Sequence, residues 1–80
     1  MDSPEILKQV NGIFIAVLDN SDIILHEGTT AKDVEEWDSL THIQLVVALE
    51  RHFKIKFTSS EIRLWKNVGQ MCDAIDRRLR

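Results

Sequence analysis

The chain has 80 residues, 44% of them apolar and 29% charged, with a formal net charge of −3 at pH 7. That is room for a single domain with a modest core and an ordinary soluble composition. The acidic balance argues against a nucleic-acid surface, which needs clustered basic residues, and no apolar run approaches a membrane span. The one cysteine, Cys72, excludes an internal disulfide. With no basic-then-apolar leader at the start, a reducing compartment, the cytoplasm, is the expected location.

Ser3-Pro4-Glu5 is a helix opening, with Ser3 as cap, proline at the first position and an acid in the first turn. Ile6, Val10, Ile13, Phe14 and Val17 follow at helical spacing to an expected end near Leu18, before the polar group Asp19-Asn20-Ser21-Asp22. Gly12 inside this helix costs about 1 kcal/mol of propensity against alanine, which points to a close helix contact there.

From Asp19 to Asp38 no periodicity is sustained. Ile23-Ile24-Leu25 form an apolar patch and Gly28-Thr29-Thr30 reads as a turn. A connection of this length in a small domain is either functional or well packed, and Ile23, Leu25, Val34 and Trp37 are the expected anchors. A strand over 23–26 competes, but no second strand pairs with it.

Asp38 is an N-cap residue, so a second helix starts at Ser39 and runs to His52 or Phe53. At about 100° per residue its apolar side chains fall into two sectors. Leu45, Val46, Leu49 and Phe53 make the wider stripe, which must face the core. Leu40, Ile43 and Val47 make a narrower one beside Ser39, free for a loop or a partner. Lys54-Ile55-Lys56-Phe57 is an extended link whose Ile55 and Phe57 plug the core. Thr58-Ser59-Ser60-Glu61 starts a short helix through Ile62, Leu64 and Trp65. Asn67 then caps a last helix with Val68, Met71, Cys72, Ile75 and Leu79 on one face, and Arg77, Arg78 and Arg80 complement its negative end. The expected fold is all-α: a small four-helix bundle of three main helices and a short third, with a long loop between helices 1 and 2, in one domain over 1–80.

Little here suggests catalysis. A nucleophilic serine needs a positioned base and an oxyanion site, yet His42 projects toward the core stripe as a partly buried structural histidine, and no Gly-x-Ser-x-Gly elbow occurs. His26, His42, His52 and Cys72 have no metal-ligand spacing. Cys72 lies on an apolar helix face, as a core residue does. Trp37 and Trp65 are packing anchors, with no basic interleaving for nucleic acid. The carboxylates of Asp33, Glu35, Glu36 and Asp38 form either a solvated loop or a surface that docks a basic enzyme.

Trp37-Asp38-Ser39-Leu40, followed by Leu45-Val46-Val47-Ala48-Leu49-Glu50 and Phe53, resembles the Asp-Ser-Leu region of acyl carrier proteins. The likeness extends over nearly the whole chain, in helix order, long loop and apolar spacing. It implies a carrier that is not itself an enzyme, with 4′-phosphopantetheine from coenzyme A attached at Ser39, Asp38 before it, and acyl groups held as thioesters. It further implies contacts to partner enzymes through Trp37, Leu40, Ile43, Gln44, Val47, Glu50 and Arg51. Gln44, Glu50 and Arg51 stand where fatty-acid carriers show acids, and only Glu50 is acidic, so the likeness is closer to stand-alone carriers of polyketide, modified-lipid or hybrid peptide synthesis. The implied partners are a phosphopantetheinyl transferase and loading and processing enzymes: a ligase or adenylating enzyme, a ketosynthase, an acyltransferase. No membrane or nucleic-acid partner is implied, and a monomer suffices. An aminoacyl or D-alanyl carrier, and an unmodified helical adaptor, are the competing readings.

Overall fold

The computed structural model describes residues 3–79, with side chains from residue 4. The side chain of Ser3, on which the expected cap depends, and Arg80, with its expected contribution, lie outside what is described. Four helices follow one another, α1 (Ser3–Leu18), α2 (Ser39–Phe53), α3 (Ser59–Leu64) and α4 (Val68–Leu79), and no strand occurs among the described residues. The bundle is the all-α arrangement expected from the periodicity.

The core follows from helical spacing. Ile6, Val10 and Phe14 put one stripe of α1 wholly out of solvent, against Leu45 and Leu49 of α2 and Val68, Met71 and Ile75 of α4. α1 packs on both α2 and α4. Each fully buried side chain of this kind contributes about 1.5–3 kcal/mol. Ile55 and Phe57 lie half-buried against the core's edge rather than inside it.

The long α1–α2 loop is held by the four expected anchors, Ile23, Leu25, Val34 and Trp37, all of which are buried. Ile24, between two of them, points outward. Sequence reasoning missed the polar staple: Asn11 of α1 donates through Nδ2 to the Ile23 carbonyl (3.1 Å) and accepts at Oδ1 from the Leu25 amide (2.6 Å). These bonds run along the backbone of 23–25, so this segment needs no strand partner.

The same loop caps α4. The Thr29 carbonyl accepts the Val68 amide (2.9 Å), the Glu27 carbonyl accepts that of Gly69 (2.7 Å), and Asn67 Oδ1 accepts that of Gln70 (2.9 Å). Three orphan donors of the first turn are thus satisfied. The close approach expected at Gly12 occurs instead at Gly69. A Cβ added at Gly12 would meet nothing within 4 Å, whereas one at Gly69 would sit 2.9 Å from the Glu27 carbonyl oxygen. α3 begins with a capping box between Thr58 and Glu61 and is tied to α4 by the Arg78–Glu61 ion pair. Trp65, expected within α3, is its extended C-terminal cap residue.

Candidate functional site

The start of α2 is fixed by side chains on both sides of it. Asp38 is extended, and its Oδ1 accepts the amides of Leu40 (3.0 Å) and Thr41 (2.9 Å). Thr41 answers reciprocally: its hydroxyl accepts the Asp38 amide (2.8 Å) and donates to the Glu36 carbonyl (2.8 Å). The Thr41 amide, above all, holds the Asp38 carboxyl below its usual range, aided by the Thr41 hydroxyl and the Leu40 amide and opposed by partial desolvation. The N-cap was legible in the sequence; the reciprocal half supplied by Thr41 was not read there.

Because Asp38 supplies the cap, the Ser39 hydroxyl is not needed for it. Ser39 is exposed, and among the described residues its side chain makes no hydrogen bond. It sits at the positive end of the α2 dipole, where an anion is favoured.

Beneath it runs a line of aromatic rings. Phe14 meets Trp37 edge to face at 5.0 Å, Trp37 stacks on His42 at 6.0 Å, His42 meets Trp65 at 6.1 Å, and Trp65 meets Phe57 at 4.9 Å. The Trp37 indole N–H donates to His42 Nδ1 (3.0 Å), and the Ile62 backbone also faces the ring. Accepting at Nδ1 requires the neutral ring with its proton on Nε2. Burial pushes the His42 pKa down, partly offset by the Ile62 backbone. The half-buried structural role expected of His42 is the one observed.

Between α2 and α3 these groups line an open groove of about 360 Å³ that includes Ser39, His42, Ile62, Arg63, Trp65 and Lys66. A larger cleft, about 620 Å³ between the loop segments around Ile23 and Val34, does not include Ser39.

The second apolar sector of α2 is exposed as the periodicity demands. Leu40 is 67% exposed, Ile43 63% and Val47 42%, with Gln44 and Arg51 exposed along the same side. Two of the expected contact residues are less exposed than the rest. Trp37 is only 8% exposed and packed on Phe14, so it supports the site from below. Glu50 is half-buried, and its Oε2 accepts the Phe57 amide (2.9 Å), which commits it to the α2–α3 link. The acidic run is also partly committed: Asp33 accepts from Thr30, and Glu36 from Asn20. Leu64, 71% exposed on α3, and Ile24, 74% exposed on the loop, are apolar surface that sequence reasoning missed. For Ile24 the signal was there, since it alternates with two anchors.

Comparison with known proteins agrees with this geometry. The model of the phosphopantetheine attachment site family matches residues 8–75. The solution NMR structure of a holo acyl carrier protein from Geobacter metallireducens superposes with a TM-score of 0.87 at 44% identity, covering 91% of this chain and 84% of that one. No curated protein matches the chain significantly. The chain belongs to the phosphopantetheine attachment site family. It is a carrier of acyl groups and not a catalyst, its cofactor is a covalently attached 4′-phosphopantetheine, and that role brings it to a phosphopantetheinyl transferase and to acyl-processing enzymes.

Proposed function

We propose that Ser39 is the attachment residue and that the chain, as one monomeric domain over 1–80 in the cytoplasm, carries acyl intermediates of a specialised pathway, such as polyketide or modified-lipid assembly. The observation that carries this reading is the exposed, uncommitted Ser39 hydroxyl at a firmly capped helix start, bordered by the exposed Leu40, Ile43 and Val47. The residues fit the group: a phosphodiester on Ser39 would meet the positive end of α2, and no buried partner would have to move.

In the modification, Ser39 Oγ bonds to the phosphorus on the pantetheine side of coenzyme A. The bond from that phosphorus to the bridging oxygen breaks, and adenosine 3′,5′-bisphosphate leaves. The hydroxyl proton passes to a base of the transferase, so this chain need not supply one. When bound, the group supplies a thiol that forms thioesters. The chain itself presents the serine above an aromatic floor and offers Leu40, Ile43 and Val47 to each enzyme it visits. Tethering raises the effective concentration of cargo at a docked enzyme, so docking can stay weak and brief.

The specialised-pathway reading is supported by the charge of α2. Gln44 and Arg51 replace acids on its exposed side, and Glu50 is turned to the Phe57 amide. A partner selecting this carrier therefore reads shape and apolar contact more than a row of acids. The groove between α2 and α3, with His42 and Trp65 in it, gives a short acyl chain a place to shelter.

Intact mass after incubation with coenzyme A and a broad-specificity phosphopantetheinyl transferase tests the assignment. The expected result is a single phosphopantetheine-sized gain that Ser39→Ala abolishes. A gain that persists in Ser39→Ala moves the site elsewhere. No gain in folded protein with several transferases favours an unmodified adaptor.

A further inference from the structure

α3 stands apart from the wholly buried core. None of its six residues is buried, and the core is closed by α1, α2, α4 and the long loop without it. A few contacts near its two ends hold it in place. At its start Glu61 is paired with Arg78 of α4. At its end Trp65 lies edge-on to Phe57 and to His42, and between them the Ile62 backbone faces the His42 ring. An element fastened in this way can open while the rest of the fold stays closed.

One of these fastenings can be undone by a proton. The His42 ring sits between Trp37, stacked on it at 6.0 Å, and Trp65 at 6.1 Å, and its Nδ1 accepts from the Trp37 indole N–H. An imidazolium has no acceptor. The incoming proton goes to the very nitrogen that faces the indole donor, so ring and indole must part. Nothing nearby compensates the new charge. The charged groups that line the groove with His42 are Asp38, whose carboxylate is turned to the Leu40 and Thr41 amides, and Arg63 and Lys66, both of which repel a cation. α1 reaches the ring stack through Phe14, which is apolar. The Glu61–Arg78 tie does not let go in the same range, because the Arg78 hydrogen bond holds the Glu61 carboxyl below its usual range.

We propose that His42 is a proton-operated clip: neutral, it holds α3 against α2 beside Ser39, and protonated, it parts from Trp37 and Trp65 and frees α3 while the core of α1, α2 and α4 stays folded. The closed form binds fewer protons than the open one, since burial pushes the His42 pKa down in the closed form. The clip is therefore fully closed above about pH 6.5 and opens as the pH falls below it. Opening withdraws Ile62, Arg63 and Trp65 from the groove that includes Ser39. None of this depends on what Ser39 carries.

The test is an NMR titration of the full-length, unmodified chain from neutral to mildly acidic pH. The His42 ring signals are expected to titrate below the ordinary histidine value. With the same midpoint the Trp37 indole N–H resonance should move, the nuclear Overhauser contact between the His42 and Trp65 rings should vanish, and the α3 amides should lose their hydrogen-exchange protection. The amides of Phe14 and Leu45 should keep theirs. His42→Gln, whose amide oxygen can accept from Trp37 but does not titrate, should hold α3 in place across the whole range. The titration of the parent chain decides the matter even where that variant does not fold. A His42 ring that titrates while the indole and α3 signals stay put overturns the clip. Loss of α3 together with the Phe14 and Leu45 amides overturns it as well, since that is unfolding of the whole. Loosening of α3 that persists in folded His42→Gln belongs to another group and overturns the role of His42.

Discussion

His42 joins three segments, for it accepts from Trp37 before α2, belongs to α2, and faces the Ile62 backbone of α3. Its neutral ring is required by the Trp37 bond, and burial pushes its pKa down from the ordinary value of 6.5. A base whose folded pKa is depressed binds fewer protons folded than unfolded. Stability from this source is therefore complete above about pH 6.5 and is lost as the pH falls below it. The thermal midpoint should decline through that window, and His42→Gln, whose amide oxygen can still accept from Trp37, should remove the inflection. Cys72 behaves oppositely. Burial, then the charges of Asp73 and Glu27, raises its pKa to about 11. Only a thiolate reacts readily, so the native unmodified chain should show no thiol titratable by a disulfide reagent at neutral pH and one after denaturation. In the modified chain the single native thiol should be that of the arm.

At the scale of elements, the three long helices were legible through a 3.6-residue apolar period, and the starts of α2, α3 and α4 through local caps: Asp38 for α2, Thr58 with Glu61 for α3, Asn67 for α4. The packing of the long loop was legible only through its apolar anchors. Its remaining bonds, Asn11 to Ile23 and Leu25, and Thr29 and Glu27 to the start of α4, join residues far apart in sequence through backbone groups that every residue carries. No side-chain pattern announces such bonds. The glycines show the consequence, since their sequence contexts did not tell which one is crowded. Gly12→Ala should stabilise by up to about 1 kcal/mol, because the site is open and the helix gains propensity. Gly69→Ala should destabilise by about 1–3 kcal/mol, because the new Cβ presses on the Glu27 carbonyl that accepts the Gly69 amide. Thermal midpoints should move in opposite directions, by roughly 4–8 °C per kcal/mol at this size. Equal shifts of the same sign would mean that the loop yields to the added methyl.

At the scale of the molecule, α2 has to serve two surfaces at once. Its Leu45, Leu49 and Phe53 side complete the core against α1, while Leu40, Ile43 and Val47 stay in water, at a cost no isolated fold would need. The division was visible in the sequence as two sectors split by polar residues, because the turn angle of a helix leaves them no common face. What it did not reveal is that Trp37 and Glu50 turn inward, since both depend on where α1 and the α2–α3 link come to rest. The two sectors should separate stability from function. Leu49→Ala removes wholly buried volume and should cost about 2–5 kcal/mol of folding stability. Ile43→Asp and Val47→Asp place a charge where the side chain already meets solvent, so the thermal midpoint should stay close to that of the parent. Modification by the transferase should instead slow, on the order of tenfold, equivalent to losing about 1.4 kcal/mol of contact at the docked surface. A loss of fold in either aspartate variant would show that this stripe is packed within the molecule rather than offered to partners.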